Sequence, residues 1–156
     1  MTPDAERTMN TYLGASSLLG VTDLDEATIA AGKVLYMEGY LFDRDDAKEA
    51  FRHAADVAHA NGRRVSLTLS DSFCVDRHRD DFRSLVQEHV DIVFGNADEI
   101  RSLYEIGDLD AAIDAIGQEC ELAAITTGAD GCVIVTSGQR IEVPAVPVER
   151  VLDTTG

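Results

Sequence analysis

The segment of residues 95–99, Gly-Asn-Ala-Asp-Glu, combines residue types that can bind a metal ion beside a phosphate. It directly follows the apolar run 91–94 and has the composition of a helix start. Asn96 and Glu99 are three positions apart, so the first helical turn would present an amide and a carboxylate on one face. A carboxylate there can hold Mg²⁺ or its bound waters, and a helix N-terminus favours phosphate. The alternative is an ordinary cap, with Asn96 as N-cap and Glu99 closing a capping-box turn, and the motif alone favours this alternative.

Residues 126–131, Thr-Thr-Gly-Ala-Asp-Gly, form a second motif after another apolar run. Gly128 and Gly131 would let the chain turn sharply and bring backbone N–H groups close to a ligand, as phosphate and nucleotide loops require. Together with Thr126 and Asn96 they are the candidate nucleotide-binding residues. The alternative is a glycine-rich turn between two strands, and a Thr-x-Gly-x-x-Gly pattern by itself is a weak signal.

A third motif, Asp153-Thr154-Thr155-Gly156, stands at the end of the sequence. A polar, glycine-ended motif with no following element is an unusual end for a domain, although an ordinary polar terminus is the simpler alternative. The order, the spacing and the strand-end placement of the three motifs agree. Together they favour a phosphate-binding site over three unrelated turns.

Short apolar runs alternate along the chain with segments that repeat apolar residues every three or four positions, which is typical of strands alternating with helices. This alternation predicts an α/β fold with a mostly parallel sheet and helices on both faces. Ligands of such sheets bind beyond the carboxyl ends of the strands, where the motifs fall. Residues 8–19 are an isolated strand or a loop. Strands are predicted at 34–38, 65–69, 91–94 and 122–127, a hairpin at 132–143 turned at Ser137-Gly138, and helices at 23–31, 43–61 with Asp43 as its cap, 80–90, from 97, and 109–117.

The composition excludes several classes of protein. The 156 residues include 29 acidic and 13 basic side chains, for a net charge of −16, so DNA and RNA would be repelled. No apolar run approaches the roughly 18 residues of a membrane span, and the first residues lack the features of a signal peptide. The three cysteines have no CxxC spacing, which argues against a disulfide framework or a zinc site. We therefore expect a cytoplasmic protein with no nucleic-acid or membrane partner.

With its three motifs in this order, the sequence resembles the ribokinase-like (PfkB) carbohydrate and nucleoside kinases over nearly its whole length. Residues 66–82 (SLTLSDSFCVDRHRDDF) look like the adenosine-kinase-like branch of that family. The resemblance implies a three-layer ribokinase-like fold and ATP-dependent phosphorylation of an alcohol group on a sugar or nucleoside. It also implies that Asn96 and Glu99 organise Mg²⁺ and the ATP phosphates, and that residues 126–131 border the nucleotide.

The family's signature is Asp-Thr-x-Gly-Ala-Gly-Asp, whose small residues form an anion hole and whose last Asp is the catalytic base. By this resemblance Gly156 begins the anion hole, no catalytic residue lies within the chain, and the base follows Gly156. In cation-activated members the positions of Asp153 and Thr155 bind K⁺. The chain is thus expected to be an internal fragment, with residues 1–20 belonging to the substrate lid and its connection and residues 21–156 to the central kinase domain.

Two carboxylates remain as candidates for ligand contact. Glu38 ends a predicted strand and matches a family position near the sugar hydroxyls, although a strand-end Glu is as often a solvated charge. Asp71 also follows a strand and could face the phosphates, but a cap or turn is the commoner role. The histidines have no spacing that indicates a metal site. The acceptor is a small molecule, with sugar and adenosine both open, and a homodimer is also left open. The competing function is a noncatalytic fragment or degenerate kinase that keeps only a nucleotide-binding α/β core.

Overall fold

A six-stranded mixed sheet organises the protein, which the computed structural model describes over residues 10–149. The strands follow one another across the sheet in chain order: β1 Val34–Glu38, β2 Arg64–Thr68, β3 Ile92–Asn96, β4 Leu122–Thr126, β5 Cys132–Thr136 and β6 Gln139–Val143. The helices are α1 Glu26–Ala31, α2 Asp45–Ala60, α3 Ser72–Arg77, α4 Arg79–His89, α5 Ala97–Tyr104 and α6 Leu109–Glu119.

The first four strands pair in parallel, and β5 and β6 continue the sheet as an antiparallel hairpin. Ser137 and Gly138 turn this hairpin with φ values of 49° and 73°. Such left-handed backbone at both central residues matches the twist of the two strands. The predictions of a mostly parallel α/β sheet and of a hairpin turned at these residues are confirmed.

The helices between the parallel strands cover only one face of the sheet in the described part of the chain. Because β1 to β4 advance in one direction across the sheet, right-handed crossovers place all their connecting helices on the same side. Val65, Leu67 and Val93 are fully buried on that side. On the opposite side Tyr36 is 56% exposed and Phe94 is 40% exposed. The expectation of helices on both faces is therefore met on one face only among residues 10–149.

The helix α2 shows where capping was predicted wrongly. It begins at Asp45 rather than Asp43, and its N-cap residue, Arg44, makes no side-chain cap hydrogen bond. The carboxylate of Asp43 instead accepts hydrogen bonds from Arg77 and His78 at 3.2 and 2.8 Å. Side chains on α3 and at its end take this carboxylate in place of the local cap, and sequence spacing carries no sign of them. The predicted end of α2 at residues 61–62 is confirmed.

Two further segments differ from their predictions. Within the described part of residues 8–19, Gly14–Leu18 form a 3-10 helix and no strand. The helix α3 was not predicted, because six residues are too short to show a helical period. Asp71 is its N-cap and accepts a 2.7 Å hydrogen bond from the N–H of Phe73. The assignment of residues 1–20 to a substrate lid stays a prediction.

An ion-pair cluster joins α2 to α4. Lys48 is buried, and its Nζ lies 2.6 Å from Oδ2 of Asp81. Arg52 approaches the other oxygen of the same carboxylate at 2.9 Å. The hydrogen bond from Lys48 and the one from Arg52 hold the pKa of Asp81 below its usual value, against the opposing effect of burial. None of the helices within residues 10–149 is long and apolar enough to cross a membrane.

Candidate functional site

The carboxyl ends of the parallel strands bring the sequence motifs to one edge of the sheet. Asn96 at the end of β3 lies directly opposite Thr126 at the end of β4. Gly128 follows Thr126 by two residues, so the motifs of Asn96 and Gly128 share the edge where they were expected, whereas Asp153, expected at the same edge, lies outside the described residues. Glu38 and Thr68 end β1 and β2 at the same edge. This edge is where open α/β sheets bind their ligands.

Asn96 and Glu99 form a complete capping box at the start of α5. Oδ1 of Asn96 accepts hydrogen bonds from the N–H groups of Asp98 and Glu99, both at 2.9 Å. The carboxylate of Glu99 accepts the N–H of Asn96 at Oε2 and its Nδ2 at Oε1, again at 2.9 Å. The local geometry is thus that of the helix cap considered above. A carboxylate oxygen has more than one lone pair, so both oxygens keep acceptor capacity for a water or a cation.

The Glu99 carboxylate lies in an unusually buried place for an acidic group, with 6% of the residue exposed. Burial raises its pKa, and the neighbouring Asp71 and Asp98 carboxylates raise it further, while the hydrogen bond from the Asn96 N–H lowers it. A cation at this point would relieve the clustered negative charge. No group of three or more metal-ligating side chains occurs within residues 10–149. A Mg²⁺ ion held here would therefore complete its oxygen shell with waters and substrate phosphates, as Mg²⁺ commonly does.

The loop of residues 126–131 has the backbone conformation that its glycines predict. Gly128 has a φ of 65° with open space around its Cβ position, and Gly131 has a φ of 109°. A Cβ on Gly131 would lie 2.0 Å from the carbonyl oxygen of Val143. Gly131 is therefore needed for close packing of the loop against the end of β6, whereas Gly128 is needed only for its backbone angle.

Glu38 is exposed at the end of β1, two strands away from Asn96. In the sheet register Glu38 aligns with Phe94, two residues before Asn96. With a strand spacing of about 4.8 Å and a rise of about 3.3 Å per residue, the backbones of Glu38 and Asn96 are about 12 Å apart. The next residue, Gly39, is buried, and only glycine fits there. A Cβ would lie 2.7 Å from the Leu69 carbonyl oxygen and 2.9 Å from the Phe82 ring. Glu38 thus lies at the same edge of the sheet as the Asn96–Glu99 pair but is separated from that pair along the edge.

A cavity of about 530 Å³ opens at the turn that follows β1, and sequence reasoning missed it. It lies between the segment 11–13, the 3-10 helix Gly39–Leu41 and α3. Its lining residues come from three separate parts of the chain, so no sequence motif could reveal it. They are Thr11, Leu13, Tyr40, Asp43, Asp71, Cys74 and Arg77.

Comparison with known proteins decides the family. The family model of the pfkB carbohydrate kinases matches residues 1–156. The chain belongs to the pfkB family. A probable sugar kinase protein from Rhizobium etli CFN 42 is 47% identical, with a TM-score of 0.93, and the match covers 99% of this chain and 47% of that one. The adenosine kinase from Sinorhizobium meliloti is 48% identical, with a TM-score of 0.94 and the same coverages.

A more distant solved structure supports the fold alone. The aminoimidazole riboside kinase from Salmonella enterica, complexed with aminoimidazole riboside and an ATP analogue, is 22% identical with a TM-score of 0.76. The match covers 94% of this chain and 50% of that one. The fold is ribokinase-like, and the chain spans about half the length of the pfkB structures that it matches.

The remaining predicted site residues of this pfkB protein lie outside the described residues. Asp153, Thr155 and Gly156 all follow residue 149, so their expected places in a K⁺ site and an anion hole stay predictions. Asp71, which was expected either to face the phosphates or to cap a helix, caps α3 and also lines the cavity.

Proposed function

We propose that this chain is part of a longer ATP-dependent kinase that phosphorylates an alcohol group of a sugar or nucleoside. The observation that carries the proposal is the pairing of Asn96 with Thr126 across β3 and β4. This register puts an amide–carboxylate pair beside a glycine-containing loop at the ligand-binding edge of a pfkB fold. Asn96, Thr126, Gly128 and Gly131 are the proposed nucleotide contacts, and Glu38 is the proposed acceptor contact.

Phosphoryl transfer depends more on positioning and charge neutralisation than on covalent chemistry of the protein. Bound Mg²⁺ would neutralise charge on the transferred phosphates. Glu99 would orient the waters of that ion through its carboxylate, and Asn96 would hold Glu99 in place through the two hydrogen bonds described above. The loop of residues 126–131 would form the wall against the nucleotide. These oxygen donors fit Mg²⁺ better than a softer metal.

Family resemblance supplies the remaining parts of the proposal. Gly156 would begin the anion hole, and the catalytic base would follow it in the chain. Asp153 and Thr155 would hold K⁺ if this branch is cation-activated. A cytoplasmic location and the possibility of a homodimer belong to the same proposal. The relatives at 47% and 48% identity are named as a probable sugar kinase and an adenosine kinase, which supports an alcohol acceptor without separating the two classes.

A noncatalytic nucleotide-binding role is the second candidate. It is favoured by the finding that both Glu99 oxygens already accept hydrogen bonds in the capping box, as they would in a purely structural helix cap. The two proposed functions differ in one respect: a kinase transfers a phosphoryl group from ATP to an acceptor, and a noncatalytic protein only binds the nucleotide.

The test uses the full-length parent, meaning the natural polypeptide that contains these 156 residues. Purified parent is assayed for ATP- and Mg²⁺-dependent phosphorylation of adenosine and a panel of free sugars. We expect turnover on at least one acceptor, and no turnover by residues 1–156 expressed alone. Binding of ATP without transfer to any acceptor would support the noncatalytic role. Turnover by the short chain would place the base within these residues and contradict the family alignment at that position.

A further inference from the structure

Arg79, the first residue of α4, contacts α5 at the end opposite to the proposed metal site. Its side chain is 26% exposed. The Nε–H donates to the carbonyl oxygen of Ser102 at 2.7 Å, and Nη1 lies 3.2 Å from the Glu105 carboxylate. Nη2 donates to Oδ1 of Asp76 in the last turn of α3. One planar guanidinium therefore joins the end of α5 to the junction of α3 and α4.

Asp76 binds the same residue of α5 from the other side. Its Oδ1 also accepts a 2.6 Å hydrogen bond from the hydroxyl group of Ser102, whose carbonyl oxygen accepts from Arg79. The carbonyl groups in the last turn of a helix lack α-helical partners and carry partial negative charge. A guanidinium at this point satisfies one of them and interacts favourably with that charge. We call the four residues Asp76, Arg79, Ser102 and Glu105 the α5 clamp.

The α5 clamp and the proposed metal site lie at opposite ends of one short helix. α5 has eight residues, which gives it a length of about 12 Å. A helix this short is not stable in isolation, so contacts with the rest of the protein set its orientation. A tilt of about 10° around the middle of α5 would move its first turn, with Glu99, by about 1 Å. A displacement of that size at a reacting group can lower the rate of a reaction about 100-fold.

The first turns of α3 and α5 carry like charges, and the α5 clamp joins the last turns of the same two helices. Asp71 caps α3, and its carboxylate is near enough to raise the pKa of Glu99 in the first turn of α5. Two like charges at this distance repel each other. At the other end, Asp76 of α3 and Ser102 of α5 are hydrogen-bonded, and Arg79 bridges them. The clamp thus holds together two helices whose first turns repel each other.

We propose that Arg79 is a positioning residue for phosphoryl transfer: through the carbonyl group of Ser102 it holds α5 in the orientation that the proposed role of Glu99 requires. This inference rests on the proposed kinase function. It goes beyond that function by giving a side chain at the far end of α5 a role in the reaction. The charged stretch 76–81, which lies within the residues that resemble the adenosine-kinase-like branch, thereby gains a role as well.

The test compares Arg79→Gln with a matched control, Arg63→Gln, in the full-length parent. Arg63 donates from Nε to the carbonyl oxygen of Ala30 in the last turn of α1 at 2.8 Å, so it makes the same kind of contact away from α5. Urea unfolding should show similar losses of stability in the two variants, because each loses one charge-assisted hydrogen bond to a helix end.

The kinetic constants then separate positioning from stability. We expect kcat to fall at least about tenfold in Arg79→Gln and to stay within about threefold of the parent in Arg63→Gln. Calorimetric titration with Mg·ATP should give affinities within about threefold of the parent for both variants, because a misplaced Glu99 affects the transition state more than the bound nucleotide. Equal kcat values in the parent and both variants would show that the α5 clamp only stabilises the fold, and would overturn the proposal.

Arg79→Lys keeps the positive charge but not the planar fork, and we expect it to lower kcat by about threefold to tenfold. This variant decides the question if Arg79→Gln does not fold, since a kcat equal to that of the parent would then overturn the proposal. Absence of turnover in the unmodified parent is a different result. It would overturn the kinase function itself, and the role of Arg79 with it, whereas turnover that is insensitive to Arg79 would overturn only the positioning role.

Discussion

Glu99 accepts two hydrogen bonds from a single residue, Asn96, at 2.9 Å each, and its own N–H donates to Oδ1 of Asn96 at the same distance. Each residue therefore fixes the other across the first turn of α5. A substitution at either position changes the helix cap and the proposed metal site together. A variant that removes the N-cap of a different helix serves as the control that separates the capping role from the metal-binding role.

Asn96→Ala should lower the free energy of unfolding by about 1 kcal/mol, because α5 loses its N-cap. Asp108→Ala is the matched control, since Asp108 caps α6 with a 2.9 Å hydrogen bond from the N–H of Ala111. Urea unfolding should show similar losses for both variants. Titration of the full-length parent with Mg·ATP should show weaker binding for Asn96→Ala only. Equal losses of ATP affinity in the two variants would show that Asn96 acts through stability alone.

The two glycines of the 126–131 loop should respond differently to alanine. Gly128→Ala should cost about 1–2 kcal/mol, because a left-handed residue gains a Cβ in open space. Gly131→Ala should cost more, because its Cβ would also lie 2.0 Å from the Val143 carbonyl oxygen. Chemical denaturation of both variants measures the difference. If both lose the same free energy, the loop does not pack against the end of β6 as described.

Asp81→Asn should destabilise the protein by about 1–3 kcal/mol near pH 7, because the buried Lys48 loses the nearer of two anionic partners and keeps only Asp45 at 3.7 Å. Since the folded-state pKa of Asp81 lies below the unfolded value, its contribution is present above the unfolded pKa. That contribution is lost as the pH falls through the folded pKa. The difference between the parent and the variant should therefore shrink in urea unfolding below about pH 4. A difference that stays constant with pH would rule out this charge as its source.

The predictable elements of the fold were those whose residue pattern lies within a single continuous segment. The apolar run 34–38 and the repeating alanines of α2 each carry a pattern within a single segment, and both elements formed where expected. The role of Asp43 was missed because its partners, Arg77 and His78, are 34 and 35 residues away. The cavity was missed for the same reason. The uncovered sheet face was missed because it depends on the order of strands, which the alternation of helices and strands does not specify.

The uncovered face of the sheet should make the 156-residue chain self-associate when it is expressed alone. Replacing Tyr36 and Phe94 together with serine should reduce this association, because both side chains are exposed on that face. Val146→Ser is the control, since Val146 is 86% exposed outside the sheet. Light scattering over a concentration series gives the molecular mass. Association that persists unchanged in the double variant would locate the contact on another surface.

The proposed role of the Glu99 carboxylate in phosphoryl transfer is tested most directly by the steady-state kinetics of Glu99→Gln in the full-length parent at saturating Mg²⁺. The carboxylate is proposed to act on metal-bridged charge that peaks in the transition state, so its loss should affect kcat more than ATP binding. We predict a fall in kcat of about 100-fold or more with less than about a tenfold change in ATP affinity. Asp108→Ala should leave both values near those of the parent. An unchanged kcat in Glu99→Gln would contradict the account and leave Glu99 as a helix cap only.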